Sequence, residues 1–533
     1  MKIWIPILIA ASASSASAQV CGENSLQESL QYLRRLSLDL RGRVPDMAEL
    51  ESVVANNGAI DPSIIRSIVR SEAMITQIHQ HHRDLLWTNI TDQRIVDQSW
   101  TLANIQRPAG VTGDIVLQTT SQTRRRAYRG GNVPCLDEAA RFDANGNILT
   151  TVDPVDPAIR REGWVLIRPY WNPAVQVKVC AFDAQDELQA MNSANRMVDC
   201  RTQTAVKGCG CGPDLQWCQS VPDRTSTIIT AALGEQMLRF MDSVVRDGRP
   251  YTDVITARDI EVNGPISHYL RFQTNSGMGS LFGSADTDYV VPVVPFSEAT
   301  RWVSANREAT HAGVLTMPGY LIKFQSDRGR ANRFYNAFLC QAFQAPAGGL
   351  PAADDACNLE PDLTKRCGCK HCHIAVEPAA AYWGRWSEAG FAPLDETNFP
   401  GFNPACAAAN AGSNANCRRF YMIAPGHPDE VPFRGYLRSL VFADTERQEN
   451  IRNGPRALAQ TAIDNGAFAS CVTKQMFERL MAREPNELDQ EMLGELESTL
   501  VGTNYDLRAL IESIVKRPEY AEAGRFDAKE HGR

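Results

Sequence analysis

Cys369-Lys370-His371-Cys372-His373 forms a C-x-x-C-H pentapeptide, the attachment signature of a c-type haem. Two thiols at this spacing can add to the two vinyl groups of one porphyrin. The imidazole that follows them then lies under the iron as its proximal ligand. The expected cofactor is one covalent haem c with its iron, on Cys369 and Cys372, with His373 as the proximal ligand. The sixth iron position decides the chemistry: a thioether suits electron transfer, whereas an open position suits peroxide or oxygen chemistry. Met422 is the first candidate, in Phe420-Tyr421-Met422-Ile423-Ala424-Pro425, a loop's length after the motif. Met317, followed by Pro318, is the second, and His427 and His311 come after them. Each methionine also reads as a core residue, and Tyr382, Trp383 and Trp386 fit either a porphyrin or a core. The His373 ring is expected to face an apolar, aromatic cavity. Its second nitrogen is expected to meet a backbone carbonyl. The plainer reading of the motif is two structural cysteines beside a histidine.

The elements that position this motif belong to a long chain. Its 533 residues exceed one ordinary core and predict several domains. Lys2, the apolar run Ile3 to Ala11 and Ala16-Ser17-Ala18 have the form of a secretory signal ending at residue 18. Cys21 is expected to be a disulfide cysteine and not a lipid anchor, because Val20 stands where such signals place a small residue. No later stretch has the length and apolarity of a membrane-spanning helix. The expected location is therefore outside the cytoplasm, periplasmic or at the cell surface. The formal net charge of −8 becomes −9 once Lys2 is removed, which gives no electrostatic case for nucleic acid. Arg124-Arg125-Arg126 reads as a solvated loop. Of the 15 cysteines, 13 remain after the two motif thiols, and an exported protein pairs most of these. Gly208-Cys209-Gly210-Cys211-Gly212 admits a zinc reading but lacks a second spaced pair with histidine, which favours disulfides.

The apolar patterning predicts a mainly α fold: a multi-domain helical scaffold with a disulfide-stapled β-containing insertion and a c-type haem module. The expected segments are a signal peptide (1–18), a helical domain (19–95), the cysteine-rich insertion (96–222), a second helical domain (223–345), the haem module (346–455) and a C-terminal helical domain (456–533). Leu26, Leu30, Leu33 and Leu36 mark the first helix, closed by Gly42 and Pro45. A second amphipathic stretch runs from about Pro62 to Trp87. In it His79 and His82 share a face, as a packed cluster or a metal pair. Within the insertion, Trp164 to Ile167 and Ala174 to Val179 read as strands around an Asn172-Pro173 turn. Helices are also expected over Thr225 to Arg246, Arg330 to Cys340, Phe468 to Met481, Glu491 to Leu500 and Asp506 to Val515, with Pro518 stopping the last. Ala405 to Cys417 reads as a cysteine-closed loop.

Four stretches together give the chain a family character. They are Tyr32 to Pro45, Phe240 to Gly264 with Arg249-Pro250-Tyr251, His311 to Leu321, and Cys369 to Gly390 with Glu377-Pro378. In these the chain resembles the large exported proteins, built from domains of unknown function, that accompany the planctomycete-type cytochrome c module. The helices from about Ala467 look like that family's terminal helical domain. The resemblance implies export, a largely helical scaffold and a haem c site, and it implies no particular reaction.

The function expected is that of an exported mono-haem c-type cytochrome-like protein engaged in electron transfer with a redox partner protein. Two alternatives stand beside it: an oxidoreductase whose haem feeds an active site elsewhere in the chain, and a haem-free cysteine-rich binding protein. No G-x-S-x-G elbow, H-E-x-x-H helix or P-loop is present. A single C-x-x-C-H argues against a di-haem peroxidase.

Overall fold

The computed structural model describes residues 26–522 except 92, 108, 109, 111, 203, 204, 275–289, 343–355 and 389. The expected signal segment and Cys21 lie outside the described residues. About 48% of the chain is helical, with small sheets, so the mainly α expectation holds. Among the described residues no helix is long and apolar enough to cross a membrane. The described residues within Met1–Gln77 and Ile511–Arg533 form one compact unit, and those within Ile78–Leu510 form another.

In the first unit the leucine spacing makes helix α1 (Leu26–Arg41), which buries Leu33, Leu36 and Leu40. Gly42, at φ +68°, ends it in the left-handed conformation that glycine adopts without penalty. Helix α2 (Met47–Ala55) follows, its first turn tied by the Asp46 N–H donating to Glu49 Oε2 at 2.9 Å. Helix α3 (Pro62–Val69) is capped by Asp61, which accepts from the Ser63 N–H. The expected helix from Pro62 to Trp87 is in fact two. It breaks at Arg70–Ser71, because the Ser71 hydroxyl accepts the Met74 N–H and starts helix α4 (Glu72–Leu86) afresh. The chain's C-terminal end returns to this unit. The Tyr32 hydroxyl donates to Val515 O, and Arg35 lies over the Tyr520 ring at 4.2 Å. Pro518 does more than stop a helix, since it opens a short one, Pro518–Glu522, as residues with a fixed φ do at a first turn.

In the second unit the cysteine-rich insertion carries a five-stranded sheet. Its strands are β1 (Thr101–Asn104), β2 (Val116–Thr119), β3 (Trp164–Ile167), β4 (Val177–Cys180) and β5 (Gln219–Ser220), in the order β5-β1-β2-β4-β3. The expected hairpin is present, with Trp164 opposite Cys180 and Ile167 opposite Val177. Its second strand starts later than expected, at Val177, because turns at Asn172 and Val175 absorb the residues before it. Arg124-Arg125-Arg126 is not a solvated loop. It lies in helix α5 (Gln122–Arg129), with Arg124 fully buried. That guanidinium donates to Ser99 O, Cys209 O and the Tyr128 hydroxyl and lies over Trp100 at 4.9 Å. Backbone carbonyls of the turn before β1 and of the Cys200–Cys209 disulfide segment meet its donors, which makes the burial tolerable.

Helix α6 (Thr225–Arg246) matches its predicted bounds and buries Leu233, Met237, Phe240, Met241 and Val244. Around it stand α7 (Pro318–Lys323) and α8 (Asp327–Phe338), then the motif helix α9 (Lys370–Ala381). Beyond these come α10 (Thr445–Asp464), α11 (Ala467–Met481), α12 (Gln490–Gly502) and α13 (Leu507–Val515).

Among the described residues six disulfides staple the chain: Cys135–Cys180, Cys200–Cys209, Cys211–Cys218, Cys340–Cys471, Cys357–Cys367 and Cys406–Cys417. The Gly-Cys-Gly-Cys-Gly segment thus holds disulfides, and Cys406–Cys417 closes the loop expected there. Cys340–Cys471 joins residues 131 apart and ties the end of α8 to α11. Replacing both with serine should lower stability by about 2–5 kcal/mol, because the unfolded chain regains that long loop's freedom. The measurement is the guanidinium midpoint of the helical circular dichroism signal; an unchanged midpoint would contradict the expectation.

Candidate haem-binding site

The motif is built from a turn and a helix start. Gly368 sits at φ +71°, and the Cys369 N–H donates to Cys367 O across it at 2.8 Å. That tight reversal lets Cys367 bond to Cys357 while Cys369 begins α9. Cys369 and Cys372 stand outside all six disulfides as thiols, partly exposed. The His373 N–H donates to Cys369 O at 3.0 Å, so both thiols and the imidazole belong to the first turn of one helix.

The His373 ring is half-buried, and its Nδ1 meets Glu377 Oε1 at 2.5 Å, one helical turn on. This departs from the backbone carbonyl expected, because the i,i+4 carboxylate reaches the ring first. Among the described residues Nε2 has no hydrogen-bond partner, which leaves it as the nitrogen a metal can take. Glu377 is buried, with its side chain 1% exposed. Its charge is met by Arg328 of α8, whose Nε lies 2.6 Å from Oε1 and whose Nη2 lies 3.0 Å from Oε2. The hydrogen bond to Glu377 in turn raises Arg328 above its ordinary value. From the sequence, Glu377 is named only in the Glu377-Pro378 pair that carries the resemblance, not as a partner of His373, and Arg328 is not named. The i,i+4 spacing from His373 was a readable signal for the first; nothing local signals Arg328, 49 residues from its partner.

Exposed apolar side chains flank the motif. Ile374 is 65% exposed beside His373, and Leu359 is 79% exposed in the turn that the Cys357–Cys367 disulfide ties to the motif. Two cavities are lined by first-unit residues: one of about 480 Å³ around Tyr32, Arg35 and Pro518, and a groove of about 1180 Å³ around Leu30, Val44 and Met47. The apolar cavity expected at His373 is not one of these.

Trp383 and Trp386 are core residues. The Trp383 Nε1 donates to Leu315 O at 3.1 Å, and Trp386 packs edge-on to His311 at 5.0 Å. Tyr382 is half-buried at the end of α9. Met317 is fully buried at the start of α7, and Met422 is buried where its backbone pairs with Tyr436 and Gly435. Nothing in their surroundings singles out one methionine as a sixth ligand. His311 Nδ1 is engaged by Arg307 and Thr316, and His427 caps a short turn by accepting the Asp429 N–H.

His79 and His82 do share a face, and Asp242 of α6 bridges them, at 2.7 Å from His79 Nδ1 and 2.8 Å from His82 Nδ1. The Tyr251 hydroxyl lies 3.1 Å from His82 Nε2. This is a packed polar network with the ring nitrogens of His82 spoken for. Cys135, Glu162 and Cys180 also bring potential ligand atoms together. They make no metal site, because the cysteines are bonded to each other and Arg129 holds Glu162.

No family model, curated protein or solved structure matches the chain.

Two expectations follow. In protein made without haem attachment and unfolded without reductant, alkylation should label Cys369 and Cys372 and spare the twelve disulfide cysteines. Peptide mass mapping reads this, and label at Cys357 or Cys367 would overturn the pairing. The second concerns acid. Burial lowers the pKa of His82 from 6.5, against the opposing bond and charge of Asp242. The unfolded chain therefore binds the proton more readily. The stability His82 contributes is complete above pH 6.5 and lost as pH falls below it, by at most about 1.4 kcal/mol per pH unit. Stability profiles of wild type and H82Q should converge on acidification; parallel profiles would refute the assignment.

Proposed function

We propose that the chain is an exported mono-haem c-type cytochrome-like protein that transfers electrons to or from a partner protein. Cys369 and Cys372 would carry the haem and His373 would ligate its iron. One observation carries this reading. Of fourteen described cysteines, disulfides take twelve, and the two left as thiols are the two of the C-x-x-C-H motif. That sparing weighs against the reading in which the two motif cysteines are structural disulfide partners.

The residues present fit the group. Both thiols are partly exposed on the first helical turn, Nε2 of His373 is available, and Nδ1 is fixed by a buried carboxylate that sets the tautomer. Ile374 and Leu359 offer apolar surface beside the motif. A bound haem c would supply one-electron chemistry at the iron. The chain's own part is to orient the imidazole and hold charge near it. Six disulfides suit an oxidising compartment, which is also where c-type haem is attached.

The test is expression with a cytochrome c maturation system. Wild type should give a pyridine haemochrome spectrum and an intact mass raised by one haem, both lost in C369A/C372A. H373A should remain folded and lose the normal Soret and α bands. Wild-type protein without covalent haem would end the proposal.

A further inference from the structure

Most of the chain's buried charges are structural. Arg129 with Glu162 and Asp183, and Arg330 with Asp327, are buried clusters inside the fold whose members pair with one another and with the backbone. The His79–Asp242–His82 bridge packs α4 on α6. The large first-unit groove is apolar, but nothing describes what would cover it. The cluster that stands apart is His373–Glu377–Arg328, because one of its members has a function outside the cluster.

We propose that Glu377 is a positioning residue that holds the haem at a low reduction potential through His373, and that Arg328 is the counter-charge that moderates it. This rests on the haem reading above. The geometry supports it in three steps. First, Glu377 Oε1 lies 2.5 Å from His373 Nδ1, a charge-assisted contact that makes Nε2 a stronger donor than a backbone carbonyl would. Second, the carboxylate is 1% exposed, so water does little to screen it. Ferric haem carries one more positive charge than ferrous haem. A buried negative charge behind the ligand therefore favours the ferric form and lowers the potential. Third, Arg328 reaches the same carboxylate with two nitrogens, at 2.6 and 3.0 Å, from a side chain 38% exposed. It offsets part of the charge from the solvent side.

A purely structural reading exists: Arg328 and Glu377 simply join α8 to α9. That reading predicts altered stability in either variant and no ordered change in potential. The proposal predicts shifts of opposite sign. Spectroelectrochemical titration of the full chain matured with haem should show E377Q shifted to higher potential and R328Q to lower. The E377Q shift should be about tenfold in the reduction equilibrium, about 59 mV for one electron. Unchanged potentials, or shifts of the same sign at equal haem content, would overturn the role of Glu377 while leaving the haem reading intact. Wild type lacking covalent haem would defeat the haem reading, and this proposal with it. If E377Q fails to accumulate, R328Q at its partly exposed site carries the test, and anything but a fall in potential refutes it.

Discussion

A guanidinium removed from water must have its donors met by the protein, and Arg330 imposes that requirement on everything around the motif. It is fully buried. Its nitrogens donate to Phe324 O at 3.0 Å, Asp327 Oδ1 at 3.0 Å, Trp386 O at 3.1 Å, Ser387 O at 2.8 Å and Gly390 O at 3.0 Å. Three of these carbonyls belong to the loop that follows α9, so the loop can take only one path past α8. Leaving such a charge unmet costs several kcal/mol. Asp327 shares the constraint: burial raises its pKa from 3.8 to about 7, while Ser439 donates to its other oxygen at 2.8 Å. The motif helix needs this anchoring. It has 12 residues, with Pro378 inside it removing one helical hydrogen bond, and helices of that length are marginal alone. Arg330, the Trp383–Leu315 bond and Asn450 donating to Pro378 O at 3.0 Å hold it where Glu377 meets Arg328.

The disulfides divide the same labour by distance. Four of the six join cysteines 7 to 11 residues apart. Such short closures remove less chain entropy than a long one and also fix local turns. Cys357–Cys367 is the one that matters at the site. Gly368 separates its partner from Cys369, and only a residue at home with φ near +70° lets adjacent cysteines serve opposite ends. Cys340–Cys471, by contrast, crosses the helical body and clamps α8, the helix that carries both Arg328 and Arg330.

Local patterning was legible wherever one element decides its own form. The bounds of α6 follow from an apolar stripe with a clear stop at Asp247-Gly248-Arg249-Pro250. The Trp164–Cys180 hairpin follows from alternation and a turn. What was not legible depended on partners far along the chain. Three consecutive arginines read as surface because their sequence neighbours are polar, yet Arg124 finds its acceptors 25 and 85 residues away. The break at Ser71 was missed because apolar spacing continues across it, while one hydroxyl captures the Met74 N–H in the next helix's first turn. At the site, the thiols and imidazole were readable as a motif and Glu377 was readable as an i,i+4 neighbour. Arg328 is knowable only from the fold, and so is the side of α9 that turns inward.

That inward side explains a use for so long a chain around so short a motif. A C-x-x-C-H turn by itself presents the second nitrogen of its imidazole to water or to a nearby carbonyl. To place a negative charge there, the protein must bury a carboxylate, and burying one is costly unless hydrogen bonds and an opposite charge offset the lost hydration. The cation paired with Glu377 comes from another element; among the described residues Lys370, the lysine of α9, forms no ion pair with it. Helix α8 supplies the cation, and α8 is in turn fixed by Arg330, by Asp327 and by the disulfide at its end. The scaffold thus acts on the imidazole through one carboxylate. A helix and its loop, cut away from α8, would keep the motif and the carboxylate but expose both to water, which screens the charge that burial keeps strong.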